Sequence, residues 1–93
     1  HTCAIRANQT VQCWGDNASG QLGNGANTDS NYPVDVTGLT SGVSAIYVGA
    51  YHACALLNNG TVKCWGENQY GQLGDGTKPD RTTPWAVVWE LAP

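Results

Sequence analysis

Four cysteines and two histidines are the residues of this chain best equipped for chemistry. His1 stands two positions before Cys3, with Cys13 ten positions further on, and His52, Cys54 and Cys64 repeat the arrangement. A His-x-Cys pair with a second cysteine folded opposite it offers three ligands of the kind zinc takes. The nine residues between the cysteines of each pair do not match a Cys-x-x-Cys knuckle, however. The competing chemistry is two disulfides, with the histidines left to the structural framework. The path of the backbone decides between them.

Other reactive patterns are thin. Gly20-Gln21-Leu22-Gly23 and Gly71-Gln72-Leu73-Gly74 are glycine-rich, but no lysine follows and neither matches a P-loop or a dinucleotide fingerprint. They read instead as tight turns, with Leu22 and Leu73 as buried anchors and Gln21 and Gln72 bonding to backbone. Asp29, Asp35, Asp75 and Asp80 are scattered loop acids without the ligand spacing of an EF-hand. No nucleophile–base constellation and no carboxylate pair stands out, so no catalytic residue, cofactor or metal is expected. Asn8, Asn17 and Asn59 each begin an Asn-x-Ser/Thr sequon, a weak signal that a secreted eukaryotic chain would make meaningful.

The elements that position these residues follow from an internal repeat. His52, Cys54, Cys64, Trp65, Gly71, Gln72, Leu73, Gly76 and Pro84 each lie 51 positions after His1, Cys3, Cys13, Trp14, Gly20, Gln21, Leu22, Gly25 and Pro33. Repeats of this length mark solenoids or propellers, whose units bury their faces against neighbours. The complete unit holds four strand candidates: Val43–Gly49, His52–Leu57, Thr61–Gly66, and a short one opened by proline, Pro33–Val36 or Pro84–Trp89. Proline at that point suits an edge strand, where a missing donor costs little. Four short antiparallel strands in about 50 residues describe a propeller blade.

Counting outward from a turn at Asn58-Asn59-Gly60 sets Leu56 opposite Val62 and Cys54 opposite Cys64. The same count in the first copy sets Ile5 opposite Val11 and Cys3 opposite Cys13. Directly opposed residues have α-carbons about 4.5–5.5 Å apart, within the reach of a disulfide. The spacing therefore predicts Cys3–Cys13 and Cys54–Cys64. On the other face Ala53 should oppose Trp65, and Ala4 should lie near Trp14, a small residue making room for a large one. A hairpin apolar on both faces belongs between two neighbours.

Composition agrees. Twelve glycines, four tryptophans and four tyrosines, with no sustained helical period, point to short strands joined by tight turns. The net charge is −3 and the four cations, Arg6, Lys63, Lys78 and Arg81, are dispersed, which argues against nucleic acid as a partner. No apolar run approaches the roughly 20 residues of a transmembrane helix. The lack of methionine leads one to expect a processed or trimmed piece of a longer product.

The string HACALLNNGTVKCWGENQYGQLGDGT, preceded by IYVGAY and followed by TP, resembles the regulator of chromosome condensation repeat. The likeness is carried by His52, Ala55, Leu56, Gly60, Val62, Trp65, Gly66, Asn68, Gly71, Gln72, Leu73 and Gly74. His1, Ala4, Ile5, Val11, Trp14, Gly15, Asn17, Gly20, Gln21, Leu22 and Gly23 carry it in the first copy. Two departures stand out: the paired cysteines resemble extracellular bacterial versions, and the tail after Pro84 leaves the usual V-x-V-x-G-L pattern.

The resemblance implies an all-β fold of four-stranded antiparallel propeller blades, about two of a seven-bladed ring. The first repeat is expected at residues 1–42, lacking its leading strand, and the second at 43–93. Two blades cannot close a ring, so the expected partners are remaining blades of the same protein, or identical or other chains, with a homo-oligomer or filament as one outcome. Paired cross-strand cysteines belong in an oxidising compartment, extracellular, cell-surface or periplasmic. The function expected is a non-catalytic binding or assembly scaffold. The family also implies two rivals, nucleotide exchange on the small GTPase Ran and inhibition of a β-lactamase.

Overall fold

The computed structural model describes residues 1–68, 73–74 and 79–87. Seven strands follow in order: β1 (Thr2–Ile5), β2 (Val11–Gly15), β3 (Ser30–Asp35), β4 (Val43–Val48), β5 (His52–Leu57), β6 (Val62–Gly66) and β7 (Arg81–Ala86). They form two antiparallel meanders, a three-stranded sheet β1-β2-β3 and a four-stranded sheet β4-β5-β6-β7. No helix among the described residues is long and apolar enough to cross a membrane.

Each central hairpin is closed the same way. Leu57 N–H donates to Thr61 O at 2.8 Å and Gly60 N–H to Leu57 O at 2.9 Å; Arg6, Thr10 and Gln9 repeat both bonds at 2.9 Å. The turn needs a left-handed residue at its third position. Gly60 supplies it at φ 87°, whereas the first copy forces Gln9 to φ 63°. The left-handed region crowds a Cβ against the backbone and costs a non-glycine residue about 1–2 kcal/mol.

These turns set the register: Cys54 opposite Cys64, Ala53 opposite Trp65, Cys3 opposite Cys13. One pairing differs from expectation. Thr2, not Ala4, faces Trp14, and Ala4 faces Gln12, because the turn at residues 7–9 fixes the register two residues away from the Ala4 reading. The outer strands also differ. They begin at Ser30 and Arg81, three residues before the prolines, and part of the expected Pro84–Trp89 strand lies outside the described residues. Pro33 and Pro84 occupy the stretch where the ladder shifts register, between Ser30 and Val34 and between Arg81 and Trp85. A bulge on an edge strand is where a residue without an N–H does least harm.

The core lies between the sheets. Val11 and Cys13 of the first sheet meet Val43, Ala53, Ala55 and Trp65 of the second, with Leu22, Val36 and Leu39 from the connecting loops. Cross-strand partners share a face, so the disulfide face of one sheet packs on the alanine–tryptophan face of the next. The apolar Ala53, Ala55 and Trp65 side of β5 and β6 is thereby accounted for.

Candidate functional site

Of the residues that the repeat singles out, Gly20, Gln21, Leu22, Gly23 and Trp65 converge on the seam between the sheets. Trp65 is fully buried, and its indole Nε1–H donates to the Gln21 carbonyl at 2.9 Å. Gly23 lies under that ring: a Cβ there would stand 2.8 Å from Nε1 and 2.9 Å from Val36 Cγ1. Gly20 touches the next sheet equally closely, its absent Cβ 2.9 Å from Thr82 Cα. Gly25 N–H then donates to Thr82 O at 2.8 Å. Residues 20–25 therefore form a clamp whose glycines let one repeat approach the backbone of the next. At the opposite end, Gln9 O accepts from Val43 N–H and Gln9 Oε1 from Asn58 Nδ2–H, both at 3.2 Å.

The clamp is irregular backbone, so its polar groups need partners other than a ladder. Asn17 supplies them from a fully buried position. Its Oδ1 accepts from Leu22 N–H at 2.9 Å, and its Nδ2 donates to Ala26 O at 2.9 Å and Thr28 O at 3.1 Å. Asp29 Oδ1 accepts from Asn17 N–H at 2.8 Å. The second repeat copies the device: Asn68 bonds Leu73 N–H at 3.0 Å and Pro79 O at 3.0 Å, and Asp80 accepts from Asn68 N–H at 2.8 Å. Asp29 and Asp80 are thus not scattered acids. The legible signal was the same 12-residue Asn-to-Asp separation in both copies. Burial of Asn17 also closes that sequon, whereas Asn8 and Asn59 sit exposed on the hairpin turns.

All four cysteines are paired, Cys3 with Cys13 and Cys54 with Cys64, each with α-carbons 4.0 Å apart. They offer no thiolate, and among the described residues no group of three or more His, Cys, Asp or Glu side chains could hold a metal. The His52 ring lies directly against Gly49, and both ring nitrogens of His1 are buried without a partner among the described residues. Gln21 Oε1 accepts from Ser19 N–H at 2.8 Å. Leu22 and Leu73 are buried, Gly74 is exposed, and Trp14 is half-buried. Gly71 and Gln72 lie outside the described residues.

Open to solvent is a second surface. Tyr47 shares the disulfide face of the second sheet through its pairing with Cys54 and is 66% exposed. Trp85, paired with Cys64, is 49% exposed and carries the Arg81 guanidinium 4.3 Å over its ring. An aromatic face over a disulfide, bordered by a cation, has the chemistry of a contact surface. A cleft of about 200 Å³ beside Arg6, Asn8, Thr10 and Asp35 brings together no nucleophile with a base.

Two antiparallel meanders packed face to face, the first repeat's glycine loop clamping the second sheet, are blades of a β-propeller. The family comparison is specific. Residues 43–72 match one family model and residues 10–56 and 59–90 another, both described as the regulator of chromosome condensation (RCC1) repeat. The chain belongs to that repeat family. It is 35% identical over 89 residues to the ultraviolet-B receptor UVR8 of Arabidopsis thaliana, covering 95% of this chain and 20% of the receptor. Over 77 residues it is 34% identical to the human E3 ubiquitin-protein ligase HERC2, covering 82% of this chain and 2% of the ligase. The chain thus spans a fifth or less of these relatives. Among solved structures, human WBSCR16 superposes with a TM-score of 0.81 at 32% identity, over 94% of this chain and 24% of that one. Yeast RCC1 (Prp20), solved bound to Kap60, gives 0.68 at 24% identity over 87% of this chain and 19% of that one, which supports the fold alone.

Proposed function

We propose that this chain is part of an extracellular or cell-surface propeller of the disulfide-containing type, and that it acts as a non-catalytic scaffold for protein binding and assembly. The observation that carries the reading is one cross-strand disulfide per hairpin, Cys3–Cys13 and Cys54–Cys64. Such staples persist in oxidising compartments and are kept reduced in the cytosol. Residues 1–42 and 43–93 act as the two repeats, and the exposed Tyr47 and Trp85 face is the contact surface. Binding follows from that face. The partners are further blades, supplied by the same protein or by other chains.

The test is protease shaving of intact producing cells, followed by mass spectrometry of the released peptides without reductant. Release of disulfide-linked peptides from intact cells is expected. Recovery only after lysis, with free thiols, would remove the extracellular reading.

A further inference from the structure

The sequence holds two Asn-Gly pairs, Asn24-Gly25 and Asn59-Gly60, and the first hairpin turn carries Asn8-Gln9 where the second carries Asn59-Gly60. Before a glycine, the next backbone nitrogen reaches an asparagine side chain most easily, because no Cβ crowds the approach. All three asparagines fold their carboxamides forward. Oδ1 accepts from the N–H two residues on, at 3.0 Å in Asn59, 3.2 Å in Asn24 and 3.3 Å in Asn8. Such a turn lays the side-chain carbonyl carbon alongside the peptide nitrogen in between.

What holds each pair differs. Asn24 is half-buried, its Oδ1 also faces Asn17 Nδ2 at 3.4 Å, and Gly25 N–H is bonded across the seam to Thr82 O at 2.8 Å. Turning the Gly25 nitrogen onto Asn24 would break a bond between sheets. Asn59 and Gly60 are exposed, nothing stands within 4 Å of a Cβ added to Gly60, and its N–H is bonded only within the turn, to Leu57 O. Opening an exposed turn tip costs little.

We propose that Asn59 is a site of spontaneous deamidation, with water as co-reactant, which the fold selects over Asn24 and Asn8. The Gly60 nitrogen gives its proton to hydroxide and attacks Cγ of Asn59. A C–N bond forms, the carboxamide C–NH2 bond breaks, and ammonia leaves with a proton from water. Water then opens the cyclic imide at either carbonyl, giving aspartate or isoaspartate. The imide nitrogen has no hydrogen, so the Gly60–Leu57 bond is lost in the intermediate. Either product sets a negative charge beside Asn58, whose side chain bonds Gln9 across the seam at 3.2 Å, and isoaspartate also lengthens the backbone of the turn. The reaction therefore ages the end of the seam opposite the clamp. It needs neither partner nor compartment and goes beyond the scaffold reading.

The test incubates the whole oxidised chain in mildly alkaline buffer and follows each asparagine by peptide mapping, as the mass gained when an amide becomes an acid. Isoaspartate is identified with its carboxyl methyltransferase. In the folded chain Asn59 should convert at least about ten times as fast as Asn24 or Asn8, the factor given by a barrier difference of about 1.4 kcal/mol. In urea with reductant, Asn24 should match Asn59 while Asn8 stays behind. Gly60→Gln should slow Asn59 to the rate of Asn8, and Gln9→Gly should raise Asn8 to that of Asn59, with circular dichroism confirming the fold. If either variant misfolds, the folded and unfolded wild type decide the matter. Equal rates at Asn59 and Asn24 in the folded chain would overturn selection by the fold. An Asn59 that keeps its amide would overturn the site.

Discussion

Alanine at Gly20 and at Gly38 separates the cost of backbone conformation from the cost of prying the blades apart. The two glycines have nearly the same dihedral, φ 78° and 80°. Around Gly38 nothing stands within 4 Å of an added Cβ, so Gly38→Ala loses only the left-handed allowance, about 1–2 kcal/mol. At Gly20 the same Cβ meets Thr82 Cα at 2.9 Å and Arg81 O at 3.0 Å, both backbone atoms of β7. Backbone cannot rotate away as a side chain can, so overpacking adds a further ~1–3 kcal/mol. Gly20→Ala should therefore lose about 2–5 kcal/mol, a large part of the ~5–15 kcal/mol that holds a domain together. Urea denaturation of the non-reduced chains, followed by circular dichroism, measures the difference in midpoint. At about 4–8 °C per kcal/mol for a domain of this size, thermal melting should separate the variants by roughly 4–24 °C. Equal losses at the two positions would refute the seam as described, because the backbone of β7 would then not lie where the clamp requires it.

Three further outcomes follow. Gln9→Gly relieves the left-handed strain of about 1–2 kcal/mol but adds about 0.5–1 kcal/mol of glycine entropy and loses the exposed Asn58 contact, so stability should stay within about 1 kcal/mol of wild type; a loss well above that would contradict the φ assignment. Asn17→Ala strands the buried Leu22 N–H and removes the partner of the part-buried Ala26 and Thr28 carbonyls, and should cost about 1–3 kcal/mol by urea midpoint, whereas an exposed Asn31→Ala should stay within ~0.5 kcal/mol. Reducing either disulfide opens a loop closed across a sequence separation of 10 and should cost about 3 kcal/mol on the loop-entropy account, measured by comparing single Cys-to-Ser pairs with the oxidised chain.

Much of the architecture was legible because the repeat is strict. A constant offset and one hairpin count suffice to bring Cys54 opposite Cys64 and Ala53 opposite Trp65, since a two-strand register is set by its turn. The Ala4 placement went astray because Thr2, not Ala4, is the counterpart of Ala53 in a strand whose side chains alternate. The outer strands extend three residues before their prolines because an irregular ladder lets a donor-free residue sit inside an edge. The clamp was less legible. Asn17 and Asp29 act through the path of a loop, and no pattern of hydrophobicity encodes which carbonyls a buried amide will meet. Trp65 could be read as a large residue beside a small one, but not as the ring that rests on Gly23 of the preceding repeat.

The most direct test of the whole account is non-reducing peptide mapping of the natively isolated protein by mass spectrometry. Two stapled blades predict one cross-link joining the peptides of Cys3 and Cys13, another joining those of Cys54 and Cys64, and no alkylatable thiol. Free thiols, or a cross-link running between the two hairpins, would contradict it.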